Sequence, residues 1–203
     1  HPDNDSLVYL TYSKPATLDS SEAAPQWSYD GQRGSTVALA RGRLDGGDLT
    51  EVRDIFIADR LDLGVSASRI VFGPDGKLYM TLGDSNNTSF AQDLAAFNGK
   101  IFRLNADGTV PSDNPFASPI FSYGHRNPQG LAWHPISGDL WATEHGNIGN
   151  DELNVISSGN NYGWPVIEGP LTRPGMETPI QLYSPSIAPS GATFYTGSLF
   201  PTF

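Results

Sequence analysis

The segment Gly73-Pro74-Asp75-Gly76-Lys77-Leu78-Tyr79 is a tight turn followed by an apolar and aromatic run of strand length. The Asp-Gly pair supplies the positive φ that such a turn demands, and the run after it is typical of a β-strand. Related turns, each with a proline and a strand-forming run after it, recur in residues 1–9, 134–141 and 188–195. The repeated turn therefore predicts a fold assembled from similar β-hairpins, each with an aromatic residue facing a neighbouring unit.

The spacing of these turns suggests how the hairpins are grouped. Successive prolines lie about 55 to 70 residues apart, somewhat more than a four-stranded propeller blade with its loops requires. We therefore predict an all-β chain, a β-propeller of about four blades in a single domain over residues 1–203, with one short helix within residues 89–98. A four-bladed ring and part of a larger ring both fit this pattern. A β-sandwich whose hairpin turns are alike is the alternative.

Composition excludes several classes of protein. There are 12 lysines and arginines against 22 aspartates and glutamates, a net charge of −10, and no basic run, which argues against a nucleic-acid partner. Cysteine is absent, so neither disulfides nor thiolate metal sites are available. No apolar run approaches the roughly 20 residues of a membrane helix, so we expect no membrane contact, and the first residues do not resemble a signal peptide. The acidic excess fits either solubility or carboxylates that hold a hard cation.

Polar residues are concentrated in residues 122–131 and 144–165. Arg126 and Asn127 provide a planar fork of donors beside an amide, which suits the oxygens of a flat, carboxylated ring. Gly146 allows the backbone to come close to a ligand, and its carbonyl could coordinate a cation. Asp151 and Glu152 are adjacent carboxylates, a natural pair for calcium or for a solvated turn.

These stretches resemble the glucose/sorbosone dehydrogenase family, the soluble quinoproteins that oxidise aldose sugars. The similarity covers nearly the whole chain, and it is carried by four motifs: Gly124-His125-Arg126-Asn127-Pro128-Gln129-Gly130-Leu131, Glu144-His145-Gly146, Asp151-Glu152-Leu153-Asn154 and Asn161-Tyr162-Gly163-Trp164-Pro165. The resemblance implies the middle of a six-bladed propeller, without the family's first and last blades, in the periplasm or secreted. It also implies an oxidoreductase that converts aldoses to lactones with pyrroloquinoline quinone and calcium. The preferred sugar, the electron acceptor and any association of several chains into a ring stay open.

The resemblance assigns the cofactor side of the site. Arg126 and Asn127 would hold the quinone, with Arg126 also near the sugar and acting on the quinone oxygen. Asp84 and Ser85 would lie on the loop that approaches the cofactor. A purely structural arginine that ties loops together is the alternative for Arg126.

The resemblance also assigns the metal ligands. The backbone carbonyls of Gly146 and Asn147 would bind the calcium that polarises the quinone, although the family usually has proline where this chain has Asn147. Glu152 and the backbone of Tyr162 would form a second, structural calcium site. A solvated turn is the alternative for Glu152.

One position departs from the family. The resemblance places its general-base histidine where this chain has Val65, and valine cannot accept a proton. His145 and His125 are the imidazoles nearest the expected cofactor loop, so His145 is the candidate substitute base. Three hypotheses follow: a quinone-dependent oxidoreductase, a calcium- and sugar-binding propeller without turnover, and a fragment whose motifs persist only as architecture.

Overall fold

The computed structural model describes residues 1–17, 33–59 and 68–200, and this part of the chain is almost entirely β-structure. One single-turn helix, α1 (Ser89–Gln92), lies within the region where a short helix is expected. The strands are β1 (Leu7–Thr17), β2 (Arg33–Asp45), β3 (Asp48–Ile57), β4 (Ile70–Phe72), β5 (Leu78–Leu82), β6 (Lys100–Leu104), β7 (Ile120–Tyr123), β8 (Pro128–Trp133), β9 (Leu140–Glu144), β10 (Asp151–Ile156) and β11 (Gln181–Tyr183).

These strands form three antiparallel sheets in which sequence neighbours are also neighbours in space. The first sheet has the order β1-β2-β3, the second β4-β5-β6-β7 and the third β8-β9-β10-β11. Short connections between consecutive antiparallel strands produce this meander, because a tight turn can join only antiparallel neighbours.

The second sheet lies between the other two, and its side chains alternate between them. Leu78 and Met80 pack in a core shared with the first sheet. Tyr79 lies between them in sequence and packs against Trp133 of the third sheet, with ring centroids 5.0 Å apart. Every residue of β5 and β6 is buried, because both faces of this sheet are covered. Face-to-face packing of successive meanders is the arrangement of propeller blades, so the predicted fold class is confirmed.

The described residues form three sheets, whereas the turn spacing indicated about four blades. The turns at Pro74 and Pro135 join the hairpins β4–β5 and β8–β9, as expected. The turn at Pro2 leads into β1, and the turn at Pro189 is not followed by a strand among the described residues. That last segment instead lies against the third sheet, where Asp151 accepts hydrogen bonds from the Ile187 and Ala188 amides at 2.8 Å.

The meander also gathers the polar motifs. The connections that leave β5, β7 and β9 lie at one end of the second and third sheets, because alternate antiparallel strands end on the same side. These connections carry residues 83–99, 124–127 and 145–150. No helix among the described residues is long and apolar enough to cross a membrane.

Candidate functional site

The Glu144 carboxylate at the end of β9 fixes the shape of the Arg126 loop. Its Oε1 accepts hydrogen bonds from the backbone amides of Arg126 and Asn127, the latter at 3.2 Å. Glu144 is 3% exposed, so these charge-assisted bonds form in a largely dehydrated environment. The two residues expected to hold the quinone are therefore anchored through their main chain, and this anchoring does not use their side chains.

A buried histidine orients Glu144. His125 Nδ1 lies 3.1 Å from Glu144 Oε2, and His125 Nε2 lies 2.9 Å from the Ser122 hydroxyl. The imidazole also stacks on the Tyr162 ring with centroids 4.7 Å apart. Ser122 and His125 are fully buried, so this serine–histidine–glutamate line cannot reach a substrate and serves to position the loop.

The Arg126 guanidinium projects from this loop toward Trp164. Its Nη1 donates to the His145 carbonyl at 3.1 Å, and Cζ lies 5.7 Å from the Trp164 ring centroid, within cation–π range. The Trp164 indole N–H donates to Asp84 Oδ2 at 2.8 Å. Burial raises the pKa of Asp84, and the bonds from Trp164 and the Asn86 amide oppose that effect.

The loop after β9 is tightly folded by backbone contacts. A Cβ on Gly146 would lie 2.0 Å from the Asn150 carbonyl oxygen, so only glycine fits, and the group that approaches Gly146 is this carbonyl. The Gly146 amide donates to Asp151 Oδ1 at 3.1 Å, and the Asn147 amide donates to Glu168 Oε1 at 2.9 Å. Hydrogen bonds from Ser186 and from several backbone amides hold the pKa of Asp151 below its usual range despite burial.

Glu144 and Glu152 lie directly opposite each other on β9 and β10. Like charges in this position repel, and burial followed by the charge of Glu144 raises the pKa of Glu152 to about 7. A divalent cation would relieve that repulsion, so the pair fits a calcium site. Among the described residues no three histidine, aspartate or glutamate side chains could hold a metal by themselves, so backbone carbonyls such as that of Tyr162 would have to complete the site.

The loop after β5 is strained where it approaches the site. Ser85 and Asn86 both have positive φ, 55° and 61°, which non-glycine residues seldom adopt. Ser85 is fully buried, and Asn98 Nδ2 donates to its hydroxyl at 2.7 Å.

Lys100 is also fully buried, and its ammonium donates to the backbone carbonyls of Phe90, Ala91 and Asn98 at 2.7, 3.1 and 2.8 Å. These bonds fix the loop internally, and backbone bonds from the Asp84 amide to the Arg126 carbonyl and from the Gly124 amide to the Ala91 carbonyl join it to the Arg126 segment.

The structure brings most of the expected site residues together. A small, partly enclosed depression is lined by Gly124, Arg126, Glu144, His145, Gly146, Glu152, Tyr162, Trp164, Ile167 and Glu168. Asn127, Asn147 and Asp84 are hydrogen-bonded to residues that line it, namely Glu144, Glu168 and Trp164 respectively. Ser85 is buried within the loop after β5 and does not line the depression. Val65 lies outside the described residues.

His145 is only partly available as a base. Its Nε2 lies 2.6 Å from the Pro189 carbonyl oxygen. A carbonyl can only accept, so Nε2 carries the hydrogen and Nδ1 is the one nitrogen left to receive a proton.

Sequence reasoning gave no role to Glu144, Trp164 or Lys100. Glu144 and Trp164 belong to the motifs that carry the family resemblance, but only the fold shows what they contact. A signal for Lys100 existed, since it is a charged residue at the start of a strand whose next two residues, Ile101 and Phe102, are apolar.

Comparison with known proteins gives a consistent result. A family model described as Glucose / Sorbosone dehydrogenase matches residues 1–203. Aldose sugar dehydrogenase YliI of Escherichia coli strain K12 is 37% identical over 193 residues, which cover 85% of this chain and 52% of that protein. The chain spans about half the length of the curated relatives that it matches over most of its own length.

Solved structures agree in fold. A structure described as glucose dehydrogenase has a TM-score of 0.85 and 36% identity, and the match covers 97% of this chain and 58% of that one. The PQQ-bound form of an aldose sugar dehydrogenase from Streptomyces coelicolor has a TM-score of 0.74 and 33% identity, covering 88% of this chain and 59% of that one.

Proposed function

The chain belongs to the glucose/sorbosone dehydrogenase family, and on that premise we propose that the protein oxidises the anomeric carbon of aldose sugars with pyrroloquinoline quinone and calcium. Oxidation of a cyclic aldose to its lactone removes a hydride from C1 and a proton from the C1 hydroxyl. When bound, the quinone supplies a two-electron acceptor for the hydride, and calcium supplies a Lewis acid.

The proposal rests mainly on the Arg126 guanidinium, which uses few of its hydrogen-bond donors within the protein. The guanidinium makes one hydrogen bond, to a backbone carbonyl, and no ion pair with any described residue. A guanidinium has five N–H donors, so most of them stay available to a carboxylated ligand. Asn127 lies beside it on the same anchored loop, and its side-chain oxygen accepts from Gln129 Nε2 at 3.1 Å.

Calcium binding is supported by the acidic pair and the carbonyl-rich loop beside it. Gly146 and Asn147 would supply backbone carbonyls on the quinone side. Glu152, with the backbone of Tyr162, would hold a second ion. The cross-strand repulsion between Glu144 and Glu152 is the structural reason to expect a cation in this region.

The second candidate is a propeller that binds calcium and sugar without turnover, and Val65 favours it. Both functions need the same ligand pocket, so binding and turnover must be measured separately. In the full-length protein, quinone binding with calcium is followed by absorbance, and glucose oxidation is followed with an artificial electron acceptor. Tight quinone binding without oxidation would select the non-catalytic function, and absence of quinone binding would contradict the quinone-dependent oxidoreductase.

Arg126→Met is expected to weaken quinone binding by about 10²-fold, the effect of losing roughly two hydrogen bonds between a charged donor and a carboxylate. The loop should keep its shape because Glu144 binds only its backbone amides. Arg173→Met is the matched control, since Arg173 is exposed and does not line the depression. Equal affinities of the two variants would show that Arg126 does not contact the quinone.

Glu152→Gln is expected to remove the part of the calcium-dependent rise in melting temperature that the ion at Glu152 contributes. A ligand at 100 times its Kd stabilises the folded state by about 2.7 kcal/mol. Without calcium the variant should be at least as stable as the wild type, because glutamine removes the repulsion from Glu144. Asp139→Asn, at an exposed carboxylate, should retain the calcium response. A full response in Glu152→Gln would remove Glu152 from the site.

A further inference from the structure

The Trp164 indole lies between two opposite charges that do not pair with each other. Asp84 and Arg126 are hydrogen-bonded through their main chains, with the Asp84 amide 2.8 Å from the Arg126 carbonyl oxygen. Their side chains form no ion pair. The indole N–H instead donates to the Asp84 carboxylate at 2.8 Å, while Cζ of the Arg126 guanidinium lies over the indole ring, 5.7 Å from its centroid.

The indole is held firmly in this position. The Trp164 amide donates to the Gly124 carbonyl at 2.9 Å, and Gln92 Nε2 donates to the Trp164 carbonyl at 2.7 Å. Gln92 also exchanges two side-chain hydrogen bonds with Asn161, at 2.9 and 2.8 Å. These bonds tie the Trp164 main chain to α1 and to the Arg126 loop. The side chain is largely buried as well, since Trp164 is 8% exposed.

Without the indole, the carboxylate would need another donor. Asp84 is 2% exposed, and a buried carboxylate that loses a hydrogen bond pairs with the nearest cation or takes up a proton. Arg126 is that cation, and its positive charge already acts on Asp84. A direct pair would occupy the guanidinium donors that an anionic ligand needs.

We propose that Trp164 is a positioning residue that keeps Arg126 free for an anionic, carboxylated ligand. The indole N–H satisfies the Asp84 carboxylate, and the indole ring supports one face of the guanidinium. Phenylalanine could supply only the ring. The identity of the ligand as the quinone rests on the proposed function, whereas the separation of the two charges does not.

The test asks whether replacing Asp84 suppresses the effect of replacing Trp164. Quinone affinity is measured on the full-length protein with calcium, by following absorbance as pyrroloquinoline quinone is added. Trp164→Phe should lower the quinone affinity about tenfold, the size of one charge-assisted hydrogen bond. In an Asp84→Asn background the same substitution should change the affinity less than about twofold, because no carboxylate is left to capture Arg126. Trp141→Phe, at an indole N–H with no partner, is the matched control and should match the wild type.

Two further measurements keep the proposal open to refutation. Crystals of ligand-free Trp164→Phe should show the Asp84 carboxylate within salt-bridge distance of the Arg126 guanidinium. Trp164→His, which retains a ring N–H donor, should retain most of the affinity. The proposal is overturned if Asp84→Asn leaves the loss unchanged or if the two side chains stay apart in the crystals. A wild-type protein that does not bind the quinone would contradict the proposed function, and the crystals would still decide this inference.

Discussion

Val65→His is expected to raise the rate of aldose oxidation by about 10²–10⁴-fold, the usual contribution of a general base. Valine cannot accept the C1 hydroxyl proton as hydride departs, and the family resemblance places the base at this position. The wild-type protein should therefore oxidise glucose slowly even when the quinone is bound. The measurement is turnover with an artificial electron acceptor, after titration has shown that quinone is bound in both proteins.

Val65→Gln is the matched control for this change. Glutamine can form hydrogen bonds but is not a base, so it should leave the rate near that of the wild type. The rate of Val65→His should also rise with pH around the ordinary histidine pKa of about 6.5. If the wild-type protein already turns over at about 1–10³ s⁻¹, typical of enzymes, another residue is the base. His145, through Nδ1, would then be the next residue to replace.

Lys100 is expected to make the free energy of unfolding rise as the pH increases above 7. Burial lowers its pKa to about 7, against the favourable charges of Asp93 and Asp59. In the unfolded chain lysine keeps its proton up to about pH 10.4. Between these values the unfolded state binds more protons, so stability should increase by about 1.4 kcal/mol per pH unit from this residue.

Urea unfolding of wild type and Lys100→Met between pH 6.5 and 9.5 isolates this contribution, because the other titrating groups are shared. The substitution should cost more stability at pH 9.5 than at pH 6.5. A constant difference between wild type and Lys100→Met would mean that the three carbonyls keep the ammonium charged when folded.

Much of the fold could be predicted because its signals are local. The Asp75-Gly76 turn and the strand-forming run that follows it need only neighbouring residues, and both appear in the structure as expected. The number of sheets could not be predicted from neighbouring residues alone. A proline-glycine turn recurs at Pro189, but whether a strand follows depends on distant contacts such as those with Asp151.

The sequence predicted which residues belong to the site better than it predicted the contacts between them. Arg126, Gly146, Glu152 and Tyr162 belong to the motifs that were singled out, and the structure places all four around one depression. The bond from Trp164 to Asp84 joins residues 80 positions apart, and the facing of Glu144 and Glu152 depends on strand register. Neither can be read from spacing alone. The roles of these residues in quinone and calcium binding stay predictions.

The anchoring of the Arg126 loop by Glu144 has a consequence for evolution. The carboxylate grips two backbone amides, which every residue except proline possesses, so the loop keeps its path whatever side chains it carries. On the proposed function, substitutions at positions 126 and 127 would therefore change the ligand preference without moving the backbone of the loop. A loop held through its main chain would let new specificities arise one mutation at a time.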